Sequence, residues 1–265
     1  MNTNWIYKAP GEIERVEACF DKPAFGPHRH DTYAVGITLS GKQGFTYRGC
    51  SRYNEVGRSL IIHPDELHDG QPGNESRMHY RVCFIEPAKI QKILGGKSLP
   101  FIDGGISDDP KLYQALYRIF DDMDRPLEGL EYEESIYELA IGMDRVSCAN
   151  KQNKRRPDYK AAELAREYIN ANINQTIDLD TLELISGRDR WKLTRDFREL
   201  FGTSPYRYLI MRRLSLARTM MFTGTSGADA AIACNFADQS HMNRHFKKTY
   251  GLTPRKLQST LRQNR

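Results

Sequence analysis

At 265 residues, with 39% apolar and 28% charged side chains, the chain is long enough for two domains that each bury a core. Its net charge of +5 is unevenly shared: residues 151–265 hold 22 Lys/Arg against 11 Asp/Glu, and residues 1–150 hold 17 against 23. Five scattered cysteines (Cys19, Cys50, Cys83, Cys148, Cys234) without a CxxC pair exclude a disulfide framework and a zinc finger, and no run reaches the roughly 20 apolar residues of a membrane span.

The opening residues Met-Asn-Thr-Asn-Trp lack the apolar core of a signal peptide, so a cytoplasmic protein with no membrane partner is expected. Residues 1–105 read as β-rich. Tyr33-Ala-Val-Gly-Ile-Thr-Leu39 alternates as a strand with one packed face does, and Gly44-Phe-Thr-Tyr-Arg48 resumes the pattern after Ser40-Gly41. Ser59-Leu-Ile-Ile62 and 78–85 add strands, the latter with Met78, Tyr80, Val82 and Phe84 on one face. Short strands between Gly, Pro, Asp and Asn point to a barrel or sandwich.

Helical periodicity begins after Asp109-Pro110, with Leu112, Ala115, Leu116, Ile119 and Phe120 in one stripe. A second helix is expected at 132–148, through Ile136, Leu139, Ala140, Met143 and Val146. The two either cover an open barrel edge or supply an antiparallel dimer seam. Together with the strands they make residues 1–150 one domain, the helices covering 110–149. The basic stretch 151–157, ending in Pro157, reads as a linker to an all-helical domain at 158–265. Helices are expected there at 159–173, 178–186, 190–201, 205–222, 228–234 and 240–250, with a short one from Pro254.

A repeat organises this second domain. Leu193-Thr-Arg-Asp-Phe197, running on through Gly202 to Pro205, recurs 49 positions later as Met242-Asn-Arg-His-Phe246, Gly251 and Pro254. In each copy an apolar residue and a Phe lie four apart on one helix face, while an Arg points away from it. Gly then stops the helix and Pro bars its extension. Each copy follows a short helix and a turn, at Gly187 and at Asn235, which is the helix-turn-helix arrangement whose second helix lies in the major groove. Asp189 and Asp238 are placed to cap those second helices.

With Leu193, Phe197 and Phe201 buried, Trp191, Thr194 and Arg195 face outward; burial of Met242 and Phe246 leaves Gln239, Ser240, His241, Asn243 and Arg244 outward. Arg can bind guanine with two hydrogen bonds, Gln and Asn can do the same to adenine, and Trp can meet a thymine methyl. Lys192, Arg198, Lys247 and Lys248 suit phosphate contacts, which add affinity without base preference.

The stretch Ala231-Ile-Ala-Cys-Asn-Phe-Ala-Asp-Gln-Ser-His-Met-Asn-Arg-His-Phe246, continuing to Pro254, resembles the signature of the arabinose-regulator (AraC/XylS) family of transcription factors. The likeness covers about 158–260. It implies two helix-turn-helix units joined by a long helix, reading successive major-groove segments of double-stranded DNA about 34 Å apart. This chain has Asn235 where members usually have Gly and Met242 where they have Phe. Arg188 occupies a site normally buried and apolar, which makes the packing of the first unit the open question.

Pro27-His28-Arg-His30 and the segment from Gly57 through His63-Pro64 to His68 resemble the two half-motifs of a cupin barrel, similar to the ligand-sensing domain that often precedes this DNA-binding region. His28, His30 and His68 are a fitting imidazole set for zinc or iron. The Glu that catalytic cupins place after the His pair is missing, however, and Asp31 lies too close to replace it. The set is therefore read as strand-capping histidines or as part of an effector pocket with Tyr33, Tyr47 and Arg81, with no metal and no cofactor expected. The fold class is α+β multidomain: a cupin-like β-barrel with flanking helices, then an all-α domain. The expected function is a transcription regulator controlled by a small-molecule effector, with a homodimer and contact with RNA polymerase as further expectations. The competing reading is a metal-dependent cupin enzyme with a basic DNA-localising tail.

Overall fold

The computed structural model describes residues 4–23, 25–73, 77–147 and 156–254. The chain divides into two compact units: Met1–Pro27 with Thr32–Arg156, and Pro157–Arg265 with the short segment His28–Asp31. The expected linker at 151–157, except its last two residues, lies outside the described residues, as does the helix expected from Pro254 beyond its first residue. Among the described cysteines Cys19, Cys50, Cys83 and Cys234 are free thiols, and no described helix is long and apolar enough to cross a membrane.

In the first unit the strands are β1 (Trp5–Ala9), β2 (Glu14–Phe20), β3 (Phe25–His28), β4 (Tyr33–Ser40), β5 (Lys42–Tyr47), β6 (Cys50–Glu55), β7 (Ser59–Ile62), β8 (His68–Pro72), β9 (Met78–Ile85) and β10 (Ile106–Ser107). They form two sheets that do not close into a barrel: β1-β2-β9-β4-β7-β10 and β3-β8-β5-β6. The physical reason lies in β4, which was expected to have one packed face and is buried on both from Tyr33 to Thr38. Such a strand belongs to the middle layer of three. One face of the six-stranded sheet, with Ala34, Leu60, Ile62, Met78, Tyr80 and Val82, packs against Phe45 and Tyr47 of the second sheet. The other, with Tyr33, Val35, Ile37, Ile61, Cys83 and Ile85, packs against helices. Antiparallel register pairs Val35 with Cys83 and with Ile61, so residues in line share a face.

The covering helices are α1 (Pro87–Leu94), α2 (Pro110–Ile119) and α3 (Gly129–Val146). The α2 stripe is buried as its periodicity predicts, and Asp109 caps the helix by accepting from the Leu112 N–H at 2.8 Å. Arg15, 1% exposed, fastens the α2–α3 loop to β2. Its guanidinium donates to the carbonyls of Ile119 (3.0 Å), Asp122 (2.8 Å), Pro10 (3.3 Å) and Arg125. The Ile119 carbonyl is the last of α2, at the negative end of the helix, where a buried cation is favoured.

The second unit contains α4 (Tyr159–Ala171), α5 (Leu179–Ser186), α6 (Arg190–Phe201), α7 (Pro205–Phe222), α8 (Gly227–Ala233) and α9 (Gln239–Tyr250). Helix α7 starts with Ser204 as cap and Pro205 in its first turn, which favours initiation there. Its residues Ile210, Leu214, Ala217 and Met221 pack on Ala230, Ala231, Phe236, Met242 and Phe246. Phe197 meets Phe201 edge-on at 4.8 Å and Tyr208 of α7 at 5.5 Å between ring centroids. The one long helix thus carries both halves of the repeat.

Candidate functional site

Helices α5 and α6 form the first helix-turn-helix. Asp178 caps α5 through the Thr181 N–H (2.8 Å), and Gly187 makes the turn in the left-handed region at φ 63°. Asp189 then caps α6 by accepting from the Trp191 and Lys192 N–H groups at 3.2 and 3.1 Å. Leu193, Phe197, Leu200 and Phe201 are buried, so the expected inner face is present with Leu200 added. Trp191 is 74% exposed. Lys192, Arg195 and Arg198 are exposed as well, and Thr194 is half-buried.

The arginine in the normally apolar site is compensated. Arg188 donates through Nε (3.1 Å) and Nη2 (2.9 Å) to Asp196, a fully buried carboxylate on the inner side of α6. Asp196 escaped the sequence reading because the residue between the Arg and the Phe of the repeat looked like another polar surface position. The signal was available: two departures from apolar character, eight residues apart and of opposite charge.

In the second helix-turn-helix Ser226 caps α8 through the Asp229 N–H (3.1 Å), and Asn235 makes the turn at φ 55°. Asp238 caps α9 through the His241 N–H (2.6 Å). Met242 and Phe246 are fully buried, while Gln239, Ser240, Arg244, Lys247 and Lys248 are exposed. His241 and Asn243 are only half-exposed. His241 accepts at Nδ1 from the Ala237 N–H (3.4 Å), and its Nε2 lies 3.1 Å from that of His245, so both ring nitrogens are occupied. Burial first, and then His241 and the cations Lys248, Arg244 and Arg207, lower the His245 pKa. The Asn243 Oδ1 is buried without a partner among the described residues, so it is turned away from the surface where a base contact was expected.

Charge on these helices is distributed selectively. Arg190 is neutralised by Glu183 (2.9 Å) and Asp180, and Arg166 by Glu163 (2.6 Å). No ion pair joins Lys192, Arg195, Arg198, Arg244, Lys247 or Lys248 to an acid among the described residues. Exposed cations without acid partners among the described residues, on two equivalent helices, are the kind of surface that attracts a polyanion.

In the first unit Tyr33 and Arg81 part from the other expected effector residues of that unit, Tyr47 and His68. Tyr47 (1% exposed) lies between the sheets, with its hydroxyl against His63 Nδ1. His63 Nε2 accepts from the Ile102 N–H (2.9 Å), which leaves the ring proton on Nδ1 for Tyr47. Burial, helped by Arg48, lowers the His63 pKa to about 3. His68 pairs in register with Tyr47 and so shares its face, and its Nδ1 bonds the Glu66 carbonyl at 3.0 Å. Tyr33 and Arg81 point to the other side of the six-stranded sheet. Tyr33 is fully buried there and donates to the Pro100 carbonyl (2.7 Å); Arg81 is held by Glu17 (2.7 Å) and the Phe120 carbonyl (2.6 Å). Their strand parity, opposite to that of Ala34 and Tyr80, removes them from the space between the sheets. His28 and His30 belong to the segment grouped with the second unit.

The polar residues that do face inward were missed. Gln43 is in phase with Phe45 and Tyr47, and Asn54 is its register partner; Gln43 Oε1 and Asn54 Oδ1 are buried acceptors without a partner among the described residues. Asn54 Nδ2 donates to Thr38 Oγ1 at 3.1 Å. The alternation along β5 would have exposed Gln43 as the one amide in an aromatic row.

Two family profiles match the chain. The family profile of the AraC-like ligand binding domain matches residues 10–140, and that of a helix-turn-helix domain matches 185–260. The HTH-type transcriptional activator RhaS of Yersinia pseudotuberculosis is 36% identical over 261 residues, covering 93% of each chain. An uncharacterized HTH-type transcriptional regulator of Bacillus subtilis, YbfI, is 24% identical and covers 82% of this chain and 81% of its own. Among solved structures, ToxT of Vibrio cholerae bound to an unsaturated fatty acid is similar in fold, with a TM-score of 0.63 at 15% identity over 95% of this chain and 96% of its own.

Proposed function

The chain belongs to the AraC-type family of transcription regulators, and from that premise we propose how its residues divide the work. It is a DNA-binding regulator with an N-terminal ligand-binding domain, not an enzyme. Helices α6 and α9 read bases through Arg195 and Arg244, with Trp191, Thr194, Gln239 and Ser240 beside them. Lys192, Arg198, Lys247 and Lys248 hold phosphates. The observation that carries this reading is the pair Arg195 and Arg244: same offset in both repeats, exposed, and without acid partners among the described residues.

The experiment is selection of bound duplexes from a randomised library by the full-length protein, repeated with single variants. Arg195→Ala and Arg244→Ala should each relax base preference at a different place in the selected sequence, with a loss of about 1–3 kcal/mol per lost two-bond contact. Lys247→Ala should weaken all duplexes alike. Equal loss on selected and random duplexes for both arginine variants would refute the assignment.

The effector is placed between the two sheets, where Gln43 Oε1 and Asn54 Oδ1 offer acceptors beside Tyr47 and His68. Unpartnered buried acceptors are costly, and a ligand bearing hydroxyl or amide donors relieves that cost. A thermal-shift screen with such ligands, in wild type and Asn54→Leu, tests it, since a ligand that binds only the folded state raises the apparent Tm. A homodimer is proposed through α3, whose Leu130, Tyr137 and Ile141 are 82%, 56% and 38% exposed along one stripe. Sedimentation of Tyr137→Glu should then report a monomer. A cytoplasmic location and contact with RNA polymerase complete the reading.

A further inference from the structure

Arg213, midway along α7, is 8% exposed and pairs with no carboxylate among the described residues. Its guanidinium donates instead to three backbone carbonyls: Nε to Ile173 (2.8 Å), Nη2 to Gln175 (2.6 Å) and Nη1 to Asn235 (3.3 Å). Ile173 and Gln175 lie in the loop that leads from α4 into α5, and so into the first helix-turn-helix. Asn235 is the left-handed turn residue of the second. One side chain on the connecting helix therefore holds both units by their backbones.

The form of that attachment matters. Apolar packing of α8 and α9 on α7 is not directional and tolerates small rotations. A planar guanidinium with donors at fixed angles does not. Three carbonyls bound to one plane define where the approach to α5 and the turn before α9 stand relative to each other. Duplex DNA demands such a definition, because successive major-groove segments on one face are about 34 Å apart and each added base pair shifts them by about 3.4 Å along the axis.

We propose that Arg213 is a positioning residue that fixes the spacing and phase of the two recognition helices, and thereby makes affinity depend on the number of base pairs between the two half-sites. The proposal rests on the reading above that both units bind one duplex.

The test uses the full-length protein and a duplex it selects from a randomised library. Three derivatives accompany that duplex: one with a base pair inserted between the halves, and one with each half scrambled. For wild type the insertion should cost about tenfold or more in affinity, equivalent to one lost two-bond base contact. Arg213→Met should lower affinity for the parent duplex about tenfold while shrinking the insertion penalty to about twofold and leaving binding to each single half unchanged, because only the shared contribution of two docked units is lost. Arg213→Lys, which keeps the charge and can reach one carbonyl, should fall between; if circular dichroism finds the Met variant unfolded, the Lys variant decides the matter by the same comparison. An insertion penalty equal to that of wild type overturns the proposal. So does a parallel loss on single halves, which would make Arg213 a general stabiliser. A wild-type protein that selects a sequence but shows no insertion penalty removes the two-unit reading itself, and the proposal with it.

Discussion

Single residues carry the departures of this chain from the pattern of its repeat. Arg188 stands where an apolar residue packs, and the fully buried Asp196 answers it. The two partners are unequal: the Arg188 side chain is 28% exposed, whereas that of Asp196 has no exposure at all. Removing the arginine takes the cation from a carboxylate buried in the core, so Arg188→Met should cost about 3–5 kcal/mol. Asp196→Leu leaves a cation that can turn to water and should cost clearly less. The double variant should recover most of the loss, since a buried ion pair replaced by apolar residues of similar size is often neutral. Denaturant titration of the four proteins checks the cycle, and additive losses would contradict the coupling.

His63 makes a second prediction at the same scale. Its folded pKa of about 3 lies below the ordinary histidine value of 6.5, so the unfolded state binds the proton more readily. Stability from this group is complete above pH 6.5 and falls as pH drops from there towards 3. At pH 5 the loss should be roughly 2 kcal/mol, at 1.36 kcal/mol per pH unit. His63→Gln should flatten this part of the stability curve between pH 7.5 and 5, although it disturbs the contact with Tyr47. An unchanged slope would mean that His63 titrates normally.

Helices were legible to within a few residues because their signals are local. The Arg190–Phe201 and Pro205–Phe222 boundaries coincide with their cap, Gly and Pro signals. The strands Ser59–Ile62 and Met78–Ile85 were equally plain, being short apolar runs. What stayed hidden depends on a third layer. Whether Tyr33 and Arg81 face the second sheet or the helices cannot be read from alternation when both sides of β4 are buried. Nor does the repeat reveal that its turns differ in length. One residue, Arg188, separates Gly187 from the cap Asp189, and two, Phe236 and Ala237, separate Asn235 from Asp238. The additional residue is Phe236, buried beneath α9. This turn therefore combines a side chain that must pack with a backbone that must be left-handed one residue earlier. Asn tolerates that conformation and a β-branched residue does not. Asn235→Gly should leave the thermal midpoint within about a degree or raise it slightly, while Asn235→Val should cost roughly 1–2 kcal/mol. Equal midpoints for the two variants would show that the turn relaxes.

On the scale of the whole molecule, function is divided by charge. Residues 1–150 are net negative and residues 151–265 net positive, and the cations without acid partners gather on α6 and α9. If Lys192, Arg198, Lys247 and Lys248 each neutralise one phosphate, four counterions leave the duplex for every chain bound. The logarithm of the binding constant on random duplex should then fall against the logarithm of salt concentration with a slope of about −3.6. Each single Lys or Arg to Ala change in this set should reduce the slope by about 0.9 and weaken selected and random duplexes alike. Arg195→Ala and Arg244→Ala act through bases and should lower affinity for the selected duplex far more than they change that slope. Fluorescence anisotropy across a salt series resolves the two classes. A slope near zero for the intact protein would mean that the basic half does not meet the phosphate backbone at all, and two exposed recognition helices could not then be lying in grooves.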